Sequence, residues 1–192
     1  MRKLDLRNVE AIEPGEREKL PEGGYIVRIE DYEDNEEKEY VRFVFDVNEG
    51  PRAGFYSDEY YAKKPWMHSL MFSYKEKALP MTKGRLEKLS ECNPGFDAVA
   101  AFEGAHPEMF VGRKIGLVVG VEQRVFKSDD GWVMVEDLDW MRARIVMPDK
   151  VRSGDYEVPK MRELSAQDRA KLEGQYGGGT STSSDPYGDI PL

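Results

Sequence analysis

The run YVRFVFDVN, residues 40–48, constrains the fold more than any other stretch. Val41, Phe43, Phe45 and Val47 fall on one side of an extended chain, and β-branched and aromatic residues dominate the run. It predicts a strand with one face buried. Upstream, GGYIVRIEDY sets Tyr25, Val27 and Ile29 against Ile26, Arg28 and Glu30, a second strand of the same period. Between them the acidic EDYEDNEEKE, residues 30–39, predicts a solvated loop around EDNEEKE. EGPRAG carries both Gly and Pro and predicts a turn. FYSDEYY, residues 55–61, then predicts a third strand.

Helical text follows. KPWMHSLMFSYKEKAL and TKGRLEKLSECNPG favour helix, the second stopping at Asn93-Pro94-Gly95. FDAVAAFEGAHPEMF is Ala-rich and predicts one short helix or irregular cover. Strand text returns in RKIGLVVGVEQRVFK and WVMVEDLDWMRARIV, with Asp130-Gly131 between them as a hairpin signal. Three strands, a helical insertion and a two-stranded hairpin is the order of an OB-fold, a five-stranded, partly open barrel with its helix between strands three and four. The expected class is therefore mainly β with a helical insertion (α+β). A generic small β-barrel fits the same order.

Residues 1–20 lack sustained periodicity and predict a mobile lead-in to a domain over 21–148. An extension over 149–173 includes SAQDRAKLEG, a short helix with Ser165 as N-cap and Asp168 three residues on. GQYGGGTSTSS, taken as a linker over 174–184, has flexible composition and leads to the last eight residues, 185–192.

Charge and cysteine content narrow the setting. The single Cys92 excludes an intramolecular disulfide, the first residues are too charged for a signal peptide, and no apolar run approaches a membrane span. A cytoplasmic protein with no membrane partner is expected. The net charge of −9 argues against a polyanion ligand, but the charge is unevenly spread. Residues 30–49 carry a local balance of −7, and residues 60–90 one of +5.

The tip DPYGDIPL puts Ile190, Pro191 and Leu192 behind Asp185 and Asp189 on the flexible linker. A partner with a small apolar pocket rimmed by Arg or Lys fits that combination. The tip resembles the acidic C-terminus of bacterial and phage single-stranded-DNA-binding proteins, whose chains end in acids followed by Ile-Pro-Phe. Asp189, Ile190 and Pro191 match, and Leu192 stands where that family has Phe. LPEGGYIVRI, SYKEKALPMTKGRLEKLSECNPGF and FVGRKIGLVVG are similar to a prophage-encoded group of single-stranded-DNA-binding proteins from Gram-positive hosts. The resemblance implies an OB-fold, protection of single-stranded DNA in phage replication or recombination, and recruitment of replication or recombination proteins by the tip. Barrels of this kind can pair edge to edge, so a homo-oligomer is one expectation, open between monomer, dimer and tetramer.

Single-stranded nucleic acid is held by stacking on aromatic faces and by a cationic groove. Residues 55–77 interleave Phe55, Tyr56, Tyr60, Tyr61, Trp66, Phe72 and Tyr74 with Lys63, Lys64, Lys75 and Lys77. The OB arrangement adds Tyr40 and Arg42, and Arg124, Lys127 and Arg142 lie on predicted strands or their ends. The expected binding set is Tyr40, Arg42, Tyr56, Tyr60, Lys63, Lys64, Trp66, Tyr74, Lys75, Lys77, Arg124, Lys127 and Arg142. The acidic loop over 30–39 opposes phosphate.

Catalytic patterns are weak. His68 and His106 stand apart without clustered Cys or Asp, and the glycines at 177–179 follow no strand. MPDKVRSGDYEVPK resembles the Pro-Asp…Glu-x-Lys pattern of metal-dependent nucleases, but after Asp149 and Glu157 the lysine arrives one position late, at Lys160. Glu136, Asp137 and Asp139 read as a solvated strand edge, and Cys92 as a small buried residue. No catalytic residue, metal or cofactor is expected. Two other classes stay open on the residues alone: a metal-dependent nucleic-acid-processing enzyme using the strand-end carboxylates, and a protein-interaction adaptor without DNA binding.

Overall fold

Two long strands, β1 (Gly23–Asn35) and β2 (Tyr40–Val47), form the centre of an antiparallel sheet. The computed structural model describes residues 18–129 and 131–174. Val41, Phe43, Phe45 and Val47 are buried in the core, as their alternation predicts, and Tyr25, Val27 and Ile29 of β1 join them. The register of β1 on β2 shifts between Ile29 and Asp31, a bulge that changes which residues of β1 share a face. Beyond it Asp31 lies opposite Val44 and Glu33 opposite Arg42, on the outer face of the sheet. The stretch predicted as an acidic loop is thus strand up to Asn35. The turn that follows is closed by Asn35 Oδ1, which accepts from the Lys38 amide at 2.9 Å, and by Glu39 at φ 57°.

The third strand is not FYSDEYY. Asp58 caps those residues into a short helix, α1 (Glu59–Ala62), its carboxylate accepting from the amides of Tyr60 and Tyr61. The sheet strand is β3 (Ser69–Ser73), inside the text predicted as helix, and it buries Leu70 and Phe72 against the core. Two helices follow near the positions expected: α2 (Leu79–Cys92), stopped at Asn93, and α3 (Ala98–Glu103), capped by Asp97. The Asn93 side chain also bonds the backbone of Lys114 in both directions, pinning the helix end to the start of β4 (Lys114–Val119).

The two long strand runs predicted after residue 113 each divide. β4 stays in the sheet, while β5 (Val121–Ser128) leaves it and pairs with β6 (Gly131–Leu138) as a separate hairpin. At its end Ser128 lies opposite Gly131, and Asp130 of the predicted turn signal lies outside the described residues. A 3-10 turn at Trp140–Arg142 leads back to β7 (Arg144–Val146), which pairs with β4. The sheet order is β3-β2-β1-β4-β7, antiparallel throughout. Mixed α/β architecture around a five-stranded antiparallel sheet is the result, and among the described residues no ladder joins β3 to β7 to close a barrel.

The segment after Met147 is bound to the sheet. Helix α4 (Pro148–Ser153) and the extended residues 155–160 cover the outer side of β1 and β4, where three glycines leave room. A Cβ at Gly24 would stand 2.6 Å from the Tyr156 ring, one at Gly116 would stand 2.9 Å from Val151, and one at Gly120 would stand 2.7 Å from the Pro159 carbonyl oxygen. Covered on both faces, β4 is apolar at nearly every position. Leu20, in the predicted lead-in, is buried in the core. Helix α5 (Ala166–Gly174) carries the predicted Ser165–Asp168 cap and lies on the hairpin. The rest of the lead-in, the linker beyond Gly174 and the tip residues Asp185, Asp189, Ile190, Pro191 and Leu192 lie outside the described residues.

The close approach at Gly120 has a measurable consequence. Gly120→Ala meets backbone and lowers stability by about 1–3 kcal/mol in urea denaturation. Gly84→Ala, in α2 with open space around it, raises stability by roughly 0.5–1 kcal/mol.

Candidate nucleic-acid interface

Of the aromatic residues predicted to stack on bases, most are structural. Tyr56 is buried; its hydroxyl accepts from Trp140 Nε1 at 3.2 Å, its ring stacks on His68 at 4.6 Å, and burial pushes its phenol well above the usual range. It belongs to a core cluster with Phe45, Tyr61 and Trp140, so its predicted role at the ligand is corrected. Tyr40 is also buried, beneath the Arg42 guanidinium at 5.5 Å. Tyr60 is half-buried with Lys64 Nζ 3.7 Å from its ring centre. Tyr74 packs toward Phe102 and donates to Asp34 and to the Asn35 carbonyl, each at 3.3 Å. Partial burial and the Asp34 carboxylate push its phenol up. Trp66 differs: it stands 47% exposed on the 3-10 turn that leads into β3.

The predicted cations divide in two. Arg42 bonds Glu33 at 2.9 Å, Lys63 bonds Glu59 at 2.5 Å, Arg124 bonds Asp137 at 2.5 Å, and Arg142 bonds Asp139 at 3.3 Å. Lys64, Lys75, Lys77 and Lys127 have no carboxylate within ion-pair distance among the described residues. Lys64 lies just before β3, Lys75 and Lys77 just after it, and Lys127 near the hairpin turn. The basic stretch over 60–90 is therefore divided among the residues before β3, those just after it, and Lys83, Arg85 and Lys88 on α2.

The hairpin supplies what the sequence reading overlooked. On one face Phe126 lies opposite Val133, each 40% exposed, with Arg124 opposite Val135 one step along. On the other, Lys127 lies opposite Trp132, whose ring has Lys171 Nζ of α5 at 5.3 Å. Helix α5 thus takes the Trp132 side and leaves the Phe126 side open. The available signal was length: β5 and β6 alternate for eight residues each beyond the Gly120 break, too far to be completing the sheet.

The outer face of β2 and β3 bears Arg42, Val44, Asp46, Met71 and Ser73, with Ser69 buried at its end. The acids of β1 border it. Asp46 is turned to internal use, accepting from the amides of Val47 at 2.7 Å and Tyr56 at 2.9 Å.

No grouping of three His, Cys, Asp or Glu able to hold a metal ion is present among the described residues. Asp149 bonds Arg152 at the start of α4, away from an exposed Glu157, and Glu136 and Asp137 point to opposite faces of β6. His68 is buried with its ring nitrogens on the carbonyl oxygens of Phe45 and Tyr61. Cys92 is half-buried against the Val146 carbonyl, and burial pushes its thiol up. No described helix is long and apolar enough to cross a membrane. The chain matches no protein family, and no curated protein and no solved structure matches it.

The core role of Tyr56 separates it from the exposed Trp66. Tyr56→Phe leaves the Trp140 indole N–H without its acceptor and lowers stability by about 1–3 kcal/mol in thermal or urea unfolding. Trp66→Ala shifts the same transition by roughly 0.5 kcal/mol or less.

Proposed function

We propose that the protein binds and protects single-stranded DNA without catalysing a reaction on it, through an OB-type fold. Partner proteins of replication or recombination are recruited by its C-terminal tip. The order of sheet strands supports the OB assignment: three consecutive antiparallel strands, helix α2 before the fourth, and the fourth beside the first. In that fold, strands two and three and the connections 1–2 and 4–5 hold oligonucleotides. Here the connection between the fourth and fifth sheet strands is the β5–β6 hairpin.

That hairpin is the observation that carries the proposal. It projects an exposed Phe126–Val133 pair beside Arg124, with Lys127 near its turn, the mixture of flat apolar surface and cation that unpaired bases and phosphates require. The outer face of β2 and β3 keeps Arg42, Val44, Met71 and Ser73 half-buried, whereas α4 and residues 155–160 cover the outer face of β1 and β4. Trp66 and Lys64 add a ring and a charge ahead of β3.

Titration with oligo-dT tests this. Quenching of Trp66 fluorescence and a mobility shift at low salt are expected, with Trp140 silent because it is buried and Trp132 silent because it lies on the hairpin face taken by α5. Phe126→Ala weakens binding by about 1–3 kcal/mol, roughly 5- to 150-fold, without lowering thermal stability. No quenching and no shift at low salt would end the proposal. Deleting residues 185–192 is expected to abolish capture of a partner protein while leaving DNA affinity equal or higher.

A further inference from the structure

Beyond Ile29, strand β1 has a neighbour on one side only. Ile29 donates to the Arg113 carbonyl at 3.0 Å and accepts from the Gly112 amide at 2.8 Å. There the chain leading into β4 turns aside, at Gly112 with φ 84°. β1 runs on to Asn35 against β2 alone. Backbone groups of successive strand residues alternate between the two sides. Asn48 donates to the Ile26 carbonyl, so the even-numbered residues from Tyr40 to Asn48 face β1. Tyr40, Arg42 and Val44 stand opposite Asn35, Glu33 and Asp31. Tyr32 and Asp34 therefore turn their N–H and C=O groups to the side that β4 has left, and no strand among the described residues pairs with that edge. Asp31 Oδ1 accepts from the Tyr32 amide at 2.8 Å, a bond to a side chain that an incoming carbonyl can replace.

The edge is flanked by apolar surface on one face and by acid on the other. Tyr32, opposite Phe43, is 36% exposed, and Met109 and Val111, on the chain that bends away, are 45% and 42% exposed. Phe110 between them is buried and stacks on Phe43 at 4.5 Å, which sets that chain beside Tyr32. Asp31 and Glu33 lie on the opposite face of β1. Residues 30–37 hold six carboxylates and no Lys or Arg. Arg28 meets Glu30 and Arg42 meets Glu33, while Asp31, Glu36 and Glu37, all exposed, have no cation within ion-pair distance among the described residues.

We propose that the Tyr32–Asp34 edge takes up an extended segment of a partner protein in which apolar residues alternate with Lys or Arg, adding one short strand to the sheet. Main-chain bonds to an exposed edge supply affinity, and the period of two supplies specificity. Apolar side chains of the segment pack on Tyr32, Met109 and Val111, and its cations meet Asp31 and Glu33. A second copy of this chain paired here would set two acidic rows against each other. The chain's own last eight residues, with two acids and no base, are disfavoured on the same ground. The site serves a partner other than the one held by the tip and does not depend on DNA binding.

The probe is a blocked seven-residue peptide alternating Lys and Val, titrated into the full chain and followed by amide NMR. Binding is expected to protect the Tyr32 and Asp34 amides from hydrogen exchange. Replacing Val by Ser in the peptide weakens it roughly tenfold or more, and N-methylation of one alternate set of its residues abolishes binding while methylation of the other set does not. Asp34→Pro removes an outward N–H that β2 does not use, and Asp31→Lys inverts the charge; each weakens the peptide by about fivefold or more. Glu173→Lys, an equal change of net charge on α5, leaves it unchanged. Should Asp34→Pro fail to fold, Asp31→Lys and the methylated peptides decide. No binding, equal affinity for the Ser peptide, or indifference to N-methylation overturns the site. Self-association of the chain that Asp34→Pro disperses overturns it in favour of a second copy. The oligo-dT titration decides the function proposed above and bears on none of these results.

Discussion

A five-stranded sheet that does not close leaves backbone donors and acceptors unpaired on both end strands, and helix α2 donates to three of their carbonyls. Thr82 donates its hydroxyl to the Ser73 carbonyl at 2.6 Å and Arg85 donates to Met71, both on β3. About two turns of helix later Cys92 reaches the Val146 carbonyl on β7. Leu86 and Leu89, buried on the same helix, seal the apolar gap between those polar contacts. The helix therefore stands in for a missing ladder, and its place in the chain order is a condition for the sheet to have an inside at all.

The other side of the sheet is fixed by what is absent. Without side chains at Gly24, Gly116 and Gly120, the chain after β7 lies close enough to bury Val118 and cover the outer surface of β1 and β4. The outer face of β1 and β4 is thereby closed, while that of β2 and β3 stays half-buried at Arg42, Val44 and Met71. Helix α5 repeats the effect on the hairpin, where it takes the Trp132 side. A segment that reads as an appendage decides which surfaces remain available to a ligand.

Much of this was legible where a local pattern and its burial agree. The alternation through residues 40–47, the Asn93 stop and the Ser165 cap each reported a backbone preference that tertiary packing left in place. Two readings failed for physical reasons. The aromatic-rich FYSDEYY has strand composition, but one carboxylate, Asp58, satisfies two amides of a helical turn, and the rings of Tyr56 and Tyr61 complete the core. Ser69–Ser73 is only five residues long and sits among Lys, Leu and Met that favour helix, so its two buried apolar positions, Leu70 and Phe72, were too few to show a period. Tyr40 and Tyr56, chosen for a ligand, are buried for a related cause: a ring's identity says nothing of which side of the sheet it faces. Phe126 became visible only once the hairpin was seen to leave the sheet.

The ion pairs give the acidic character of the molecule a specific part in its binding chemistry. Arg42, Arg124, Arg142 and Lys63 are held by carboxylates, so a phosphate arriving at any of them exchanges one anion for another. Such an exchange yields less than capture by a solvated ammonium, because the displaced carboxylate stays nearby and repels. In the proposed complex, net electrostatic gain thus falls to the cations without such partners, Lys64, Lys75, Lys77 and Lys127, with the rest of the affinity resting on base contact at Phe126 and Trp66. The paired arginines contribute fixed positions more than charge, since a guanidinium already oriented by a carboxylate loses less freedom when a second acceptor arrives. In the proposed complex, a face built this way would discriminate against duplex DNA and other generic polyanions, which present phosphate but hide the bases that such a surface needs.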